Sequence, residues 1–159
     1  MDCCIGIRAD GNTQLGMGHL MRCRTIAQQI TKRGCKVMFF VAEETAGQVI
    51  RDWGFSVRVL DSDYRRMEEE LPQLLEEIRK NCISLMLVDS YQVTDVYLRQ
   101  LGEYTKVFLM DDLGESSFRV DGVINYNIYG QELGYHESYG ETTKLILGSS
   151  YAPVREDFV

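Results

Sequence analysis

The chain has 159 residues, 45% of them hydrophobic and 26% charged, with a formal net charge of -7. That length suits one domain with a sizeable core, and the acidic balance argues against a nucleic-acid partner, which needs a basic face for phosphates. No run is apolar enough to span a bilayer, and the start lacks the parts of a signal peptide, so we expect a cytoplasmic protein without a membrane span.

Short apolar runs alternate with amphipathic stretches along the chain. Residues 3–7 read as the first strand, and 18–33 as a helix with Leu20, Cys23, Ala27 and Ile30 on one face and Gly34 as its stop. Residues 36–42 are apolar on both faces, as a strand covered on each side should be. A short helix over 46–53 and a third strand over 56–60 follow. Residues 64–80 carry an acidic, solvated face and an apolar stripe of Leu71, Leu74, Leu75 and Ile78, with a break expected at Pro72. Then come a strand (84–88), a helix (94–101), a strand (106–110) and two short strands at 123–125 and 145–147. This alternation implies a mostly parallel, doubly wound α/β sheet with right-handed crossovers. Five cysteines (Cys3, Cys4, Cys23, Cys35, Cys82) show no C-x-x-C metal spacing and are expected as buried free thiols. The last residues, 151–159, read as a connector leading to something further, so a fragment of a longer polypeptide is expected.

In open α/β sheets, ligands sit outside the carboxyl ends of the strands, and polar residues gather at those ends here. Arg8 and Asp10 follow the first strand, Glu43 and Glu44 the second, Asp89 and Ser90 the fourth, Asp111 and Asp112 the fifth, and Asn125 the next. The strongest local signal is the loop from Arg8 to His19. Gly16 and Gly18 let the backbone approach a ligand or take positive φ. A helix then starts with its free N–H groups and positive dipole end facing that ligand. Met21 stands where the third glycine of a dinucleotide fingerprint belongs, and the spacing of a phosphate-cradling loop is missing too, so no nicotinamide cofactor is expected. The helix start favours neutral imidazole at His19, which can accept a proton as a general base must. On residue chemistry alone, a histidine that caps the helix or packs under the loop is an equal reading. His136, in a Gly- and Tyr-rich stretch, reads as a surface residue.

The run IRADGNTQLGMGHLMRCRTIA resembles the start of the PseG/SpsG family, enzymes that act on UDP-linked amino sugars in pseudaminic acid and spore-coat polysaccharide synthesis. Four more pieces match in order: Val88-Asp89-Ser90-Tyr91, Met110-Asp111-Asp112, Asp121-Gly122-Val123-Ile124-Asn125, and Gly148-Ser149-Ser150-Tyr151 leading to Arg155-Glu156-Asp157-Phe158. The resemblance implies a single Rossmann-like domain over 1–159, the N-terminal domain of a GT-B type two-domain enzyme, with the C-terminal nucleotide-binding domain absent from this chain. It implies hydrolysis of a UDP-linked amino sugar with inversion and without metal or cofactor. Carried onto this sequence, His19 would deprotonate water and Asp10 would orient His19 or bind a sugar hydroxyl. N–H groups near Gly16 and Gly18 would offset the departing pyrophosphate charge. Tyr91 would contact the sugar, and Arg8 and Asn125 would shape the pocket. A glycosyltransferase using His19 on a sugar hydroxyl, and a non-catalytic sugar-nucleotide binding module, remain open. A phosphoacceptor receiver domain does not fit, because glycines and His19, rather than an acidic pair, follow the first strand.

Overall fold

The alternation of apolar and amphipathic segments becomes seven strands and five α-helices in the computed structural model, which describes residues 2–115 and 117–155. Glu156, Asp157 and Phe158, the end of the last quoted motif, lie outside the described residues. The strands are β1 (Cys4–Ala9), β2 (Lys36–Val41), β3 (Ser56–Val59), β4 (Leu85–Asp89), β5 (Lys106–Met110), β6 (Gly122–Asn125) and β7 (Lys144–Leu147). The helices are α1 (Gly18–Lys32), α2 (Glu44–Asp52), α3 (Leu71–Lys80), α4 (Asp95–Gly102) and the four-residue α5 (Tyr135–Ser138). All pairings are parallel, in the order β3-β2-β1-β4-β5-β6-β7. Sequential winding therefore reverses between β1 and β4, and a crevice opens there at the carboxyl ends of the strands.

Strand residues divide by the period of two. Phe39, Val41 and Leu87 face the side covered by Leu20, Cys23 and Ala27 of α1 and Ile50 of α2. Phe40, Met86 and Val88 face Leu74 and Ile78 of α3 and Leu98 and Leu101 of α4. Both faces are thus covered, as an all-parallel sheet requires. Helix ends follow local chemistry. The Thr94 hydroxyl accepts the Tyr97 N–H at the start of α4. Gly34 follows α1 with φ +86°, where the chain turns back toward β2. No helix among the described residues is long and apolar enough to cross a membrane.

The differences from expectation are physical ones. The stretch 64–80 is broken before Leu71: Met67–Glu70 is a 3-10 turn, and Pro72 sits in the first turn of α3, where its missing N–H has no cost. Its acidic run is not wholly solvated, because Glu70 is 3% exposed. Strand β1 continues through Arg8, whose side chain is fully buried and meets Glu70 through Nε and Nη2 at 2.6 and 3.0 Å. Ser62 and Tyr97 hydroxyls donate to the same carboxylate at 2.7 and 2.8 Å. Burial works against the Arg8 charge, but Asp10 and Glu70 more than offset it, and its proton affinity is raised. The cysteines are all free, yet only Cys23 is buried; Cys3, Cys4 and Cys35 are half-buried and Cys82 is exposed. Their positions at strand starts and a helix end, rather than in strand centres, explain this. His136 is exposed, as expected.

Removing one partner of a buried ion pair leaves an uncompensated charge. Glu70→Ala is therefore expected to cost about 3–5 kcal/mol of folding stability, measured by chemical denaturation. A loss below about 1 kcal/mol would mean that Arg8 finds another partner.

Candidate active site

The loop after β1 is built by its own side chains. Asn12 Oδ1 accepts the N–H groups of Gln14 and Leu15 at 2.9 and 2.8 Å, and the Gly16 N–H donates to the Asn12 carbonyl at 2.8 Å. Gly16 closes this turn with φ +75°, a conformation that favours glycine. At Gly18, the first residue of α1, a side chain would meet open space, so this glycine leaves room above the helix start instead of relieving strain. The Tyr64 hydroxyl donates to Gln14 Oε1 at 2.9 Å and ties the loop to the segment after β3.

His19, in the first turn of α1, reaches across the crevice to the end of β4. Its Nδ1 lies 2.6 Å from Asp89 Oδ1. A carboxylate accepts, so Nδ1 carries the hydrogen, and in the neutral ring Nε2 is the nitrogen with the lone pair. Asp89 is 1% exposed. Burial alone would raise its carboxyl, but hydrogen bonds from Arg22 and His19 outweigh that and hold it below the usual carboxylate range. Arg22 sits one turn beyond His19 on the same face of α1. Its Nε donates to Asp89 Oδ2 at 2.6 Å, and its Nη1 donates to both Asp112 oxygens at 2.9 and 3.0 Å and to the Tyr126 hydroxyl at 3.2 Å. The Tyr91 hydroxyl donates to Asp112 Oδ2 at 2.7 Å; burial, with Asp112 beside it, pushes that phenol up to about 12. The Tyr91 ring stands edge-on to the imidazole with centroids 4.8 Å apart.

Of the residues picked out in the sequence, His19, Asp10 and Tyr91 line one small recess with Leu15, Tyr64, Asp89, Ser90 and Gln92. Its volume of about 20 Å³ exceeds the roughly 10–15 Å³ that one water needs. Asp10 is not the orienter of His19. Its Oδ1 accepts the Ala42 N–H at 2.8 Å and its Oδ2 accepts from Arg8 at 2.7 Å, while Asp89 holds the imidazole. Arg8 and Asn125 are both 0% exposed and do not line the recess. Arg8 braces Asp10 from behind. Asn125 donates to the Tyr135 hydroxyl, which donates to Asp111 Oδ2, both at 2.9 Å, so Asn125 braces the loop after β5. Sequence reasoning noted Asp89 and Asp112 as strand-end carboxylates but missed Arg22. Its spacing of three residues from His19 was the available signal, since such residues share a helix face. A larger depression of about 610 Å³ lies at the opposite edge of the sheet, lined by Cys4, Cys35, Lys36 and Cys82 among others. Strands begin there, so the crevice by His19 is the better candidate despite its smaller volume. Among the described residues, no group of three or more His, Cys, Asp or Glu side chains is placed to hold a metal ion.

The lowered Asp89 carboxyl contributes stability that is complete above the unfolded value of about 3.9 and is lost as pH falls through the folded value. Asp89→Asn removes that component. Its unfolding free energy should therefore fall less steeply than the wild type's below about pH 4, as measured by denaturant titrations at stepped pH. Equal slopes would show that the ion pair does not form in solution.

No protein-family model matches the chain. The UDP-2,4-diacetamido-2,4,6-trideoxy-beta-L-altropyranose hydrolase of Campylobacter jejuni is 26% identical over 153 residues, which cover 95% of this chain and 52% of that protein. The spore coat polysaccharide biosynthesis protein SpsG of Bacillus subtilis is 25% identical over 166 residues, covering 97% of this chain and 46% of that protein. The chain thus spans about half the length of these curated relatives. Among solved structures, a glycosyltransferase from Rickettsia africae superposes with a TM-score of 0.66 at 9% identity, covering 92% of this chain and 42% of the other. MurG from Acinetobacter baumannii does so with 0.61 at 12% identity, covering 91% and 44%. The chain is PseG/SpsG-like along nearly its whole length and has the Rossmann-like α/β fold found in GT-B glycosyltransferases.

Proposed function

We propose that this chain carries the base-bearing half of an inverting UDP-sugar hydrolase that acts on an amino-sugar nucleotide in surface or spore-coat polysaccharide synthesis. The observation that carries the reading is the His19–Asp89 pair at the β1/β4 crevice, with the imidazole lining a recess the size of one water. Nε2 of His19 takes a proton from that water as its oxygen bonds to the anomeric carbon from the face opposite UDP. The bond from the anomeric carbon to the phosphate oxygen breaks, its electron pair leaves with UDP, and the free sugar is released. A base placed this way contributes about 10²–10⁴-fold.

The surrounding residues take the remaining roles. Asp10, with Arg8 behind it, faces the sugar as an acceptor for a hydroxyl or amide N–H. Tyr91, 55% exposed, offers its ring to the sugar. N–H groups in the first turn of α1, which the turn at Gly16 leads into and Gly18 leaves uncovered, oppose the charge that grows on the leaving pyrophosphate. The nucleotide contacts would come from a second domain, corresponding to the length the relatives have beyond the match. A metal or cofactor has no role in these steps.

The likeness to a glycosyltransferase fold favours one alternative, in which a sugar hydroxyl replaces water at His19. The water-sized recess favours water. The two separate in an assay of UDP release from UDP-diacetamido sugars in EDTA, run in ¹⁸O-water on the longest natural form of the protein. Release with label in the free sugar, reduced at least about 10²-fold in His19→Ala, is the expected result. Release only after an acceptor sugar is added would make it a transferase. Turnover unaffected by His19→Ala would remove His19 from the chemistry, and binding without turnover would leave a sugar-nucleotide binding module.

A further inference from the structure

The geometry points to Arg22 as the positioning residue on which both supports of the His19 imidazole converge; this rests on the reading of His19 as the base. One support is Asp89, at Nδ1. The contact distances settle the pairing there: Asp89 Oδ1 is 2.6 Å from Nδ1, whereas Arg22 Nη2 is 3.4 Å away. A lone pair on Nδ1 would repel the carboxylate at the shorter distance, so the hydrogen belongs on Nδ1 and Arg22 acts through Asp89. The other support is the Tyr91 ring, which stands at 76° to the imidazole. Tyr91 is pinned by Asp112 at 2.7 Å, and Asp112 is pinned by Arg22. The contacts close a circuit: His19, Asp89, Arg22, Asp112, Tyr91 and back to His19.

Arg22 suits this place for reasons of shape as well as charge. Nε and Nη2 address the two oxygens of Asp89 as a fork, while Nη1 addresses Asp112, so one rigid plane sets both carboxylates. The backbone of α1 fixes the offset between Arg22 and His19, three residues apart. Tyr126 steadies the guanidinium from the β6 side: its hydroxyl accepts from Nη1 at 3.2 Å, and its ring centroid lies 5.7 Å from the guanidinium carbon. A residue that only neutralised two carboxylates would be replaceable by lysine. A residue that sets the imidazole's tautomer and orientation would not be, because one ammonium cannot present the fork and the third donor together.

The test is long-range ¹H–¹⁵N NMR of the ¹⁵N-labelled chain at a pH where the imidazole is neutral, with nuclear Overhauser contacts between the His19 and Tyr91 rings. The wild type should show hydrogen on Nδ1 and the ring contact. Arg22→Lys, with amide dispersion retained, should lose both the tautomer preference and the ring contact. Asp112→Ala should lose the ring contact and keep the Nδ1 hydrogen, because Asp89 remains held; this variant tests the circuit even if Arg22→Lys fails to fold. Wild-type signatures in Arg22→Lys, or both signatures surviving or both vanishing in Asp112→Ala, would overturn the role of Arg22 while leaving His19 as base. Hydrogen on Nε2 in the wild type would overturn the base reading together with it.

Discussion

The carboxylate of Asp89, buried at the end of β4, is the charge around which this site is organised. An ionised carboxylate out of water is tolerated only when donors replace its hydration. Those donors are the fork of Arg22, the Nδ1 hydrogen of His19 and the thiol of Cys23, all on one helix. Helix α1 is therefore held to the strand on the far side of the crevice by charge as well as by its apolar face. Holding it there fixes the loop before it, and with that loop the direction in which the histidine presents its second nitrogen.

A second buried charge works on the other side of β1. Arg8 and Glu70 meet beneath the sheet end, and Arg8 extends to Asp10, whose other oxygen accepts the Ala42 N–H after β2. The two clusters brace the recess from opposite faces of the sheet. Neither is a surface ion pair of small worth; each centres on a carboxylate, Asp89 or Glu70, that must stay paired because it is dry. Rigidity around the recess follows from that constraint.

The parts of the fold visible in the sequence were those governed by local chemistry. Strand and helix order, the Gly34 stop, the Gly16 turn and the start of α1 at Gly18 all follow from periodicity and backbone preference over a few residues. His19 stood out because it follows two glycines at a helix start. What stayed hidden depends on pairing across the chain. Asp89 was a strand-end carboxylate among several until β4 lay beside β1, a neighbour relation that local pattern does not carry. Glu70 looked like one more solvated acid in an acidic run, and its burial is decided by Arg8, 62 residues away. Arg22 drew no separate notice in the sequence, and Arg8 and Asn125 read as pocket residues although both are packed behind the site.

On the proposed function, a nucleotide sugar meets this protein at the β1/β4 crevice and not at the larger depression on the opposite edge. Amide chemical shifts of the ¹⁵N-labelled chain, followed while a UDP-diacetamido sugar is added, test it most directly. Shifts should concentrate at Gly16 to His19, Ser90 and Tyr91. Shifts confined to Cys4, Lys36 and Cys82 would contradict it.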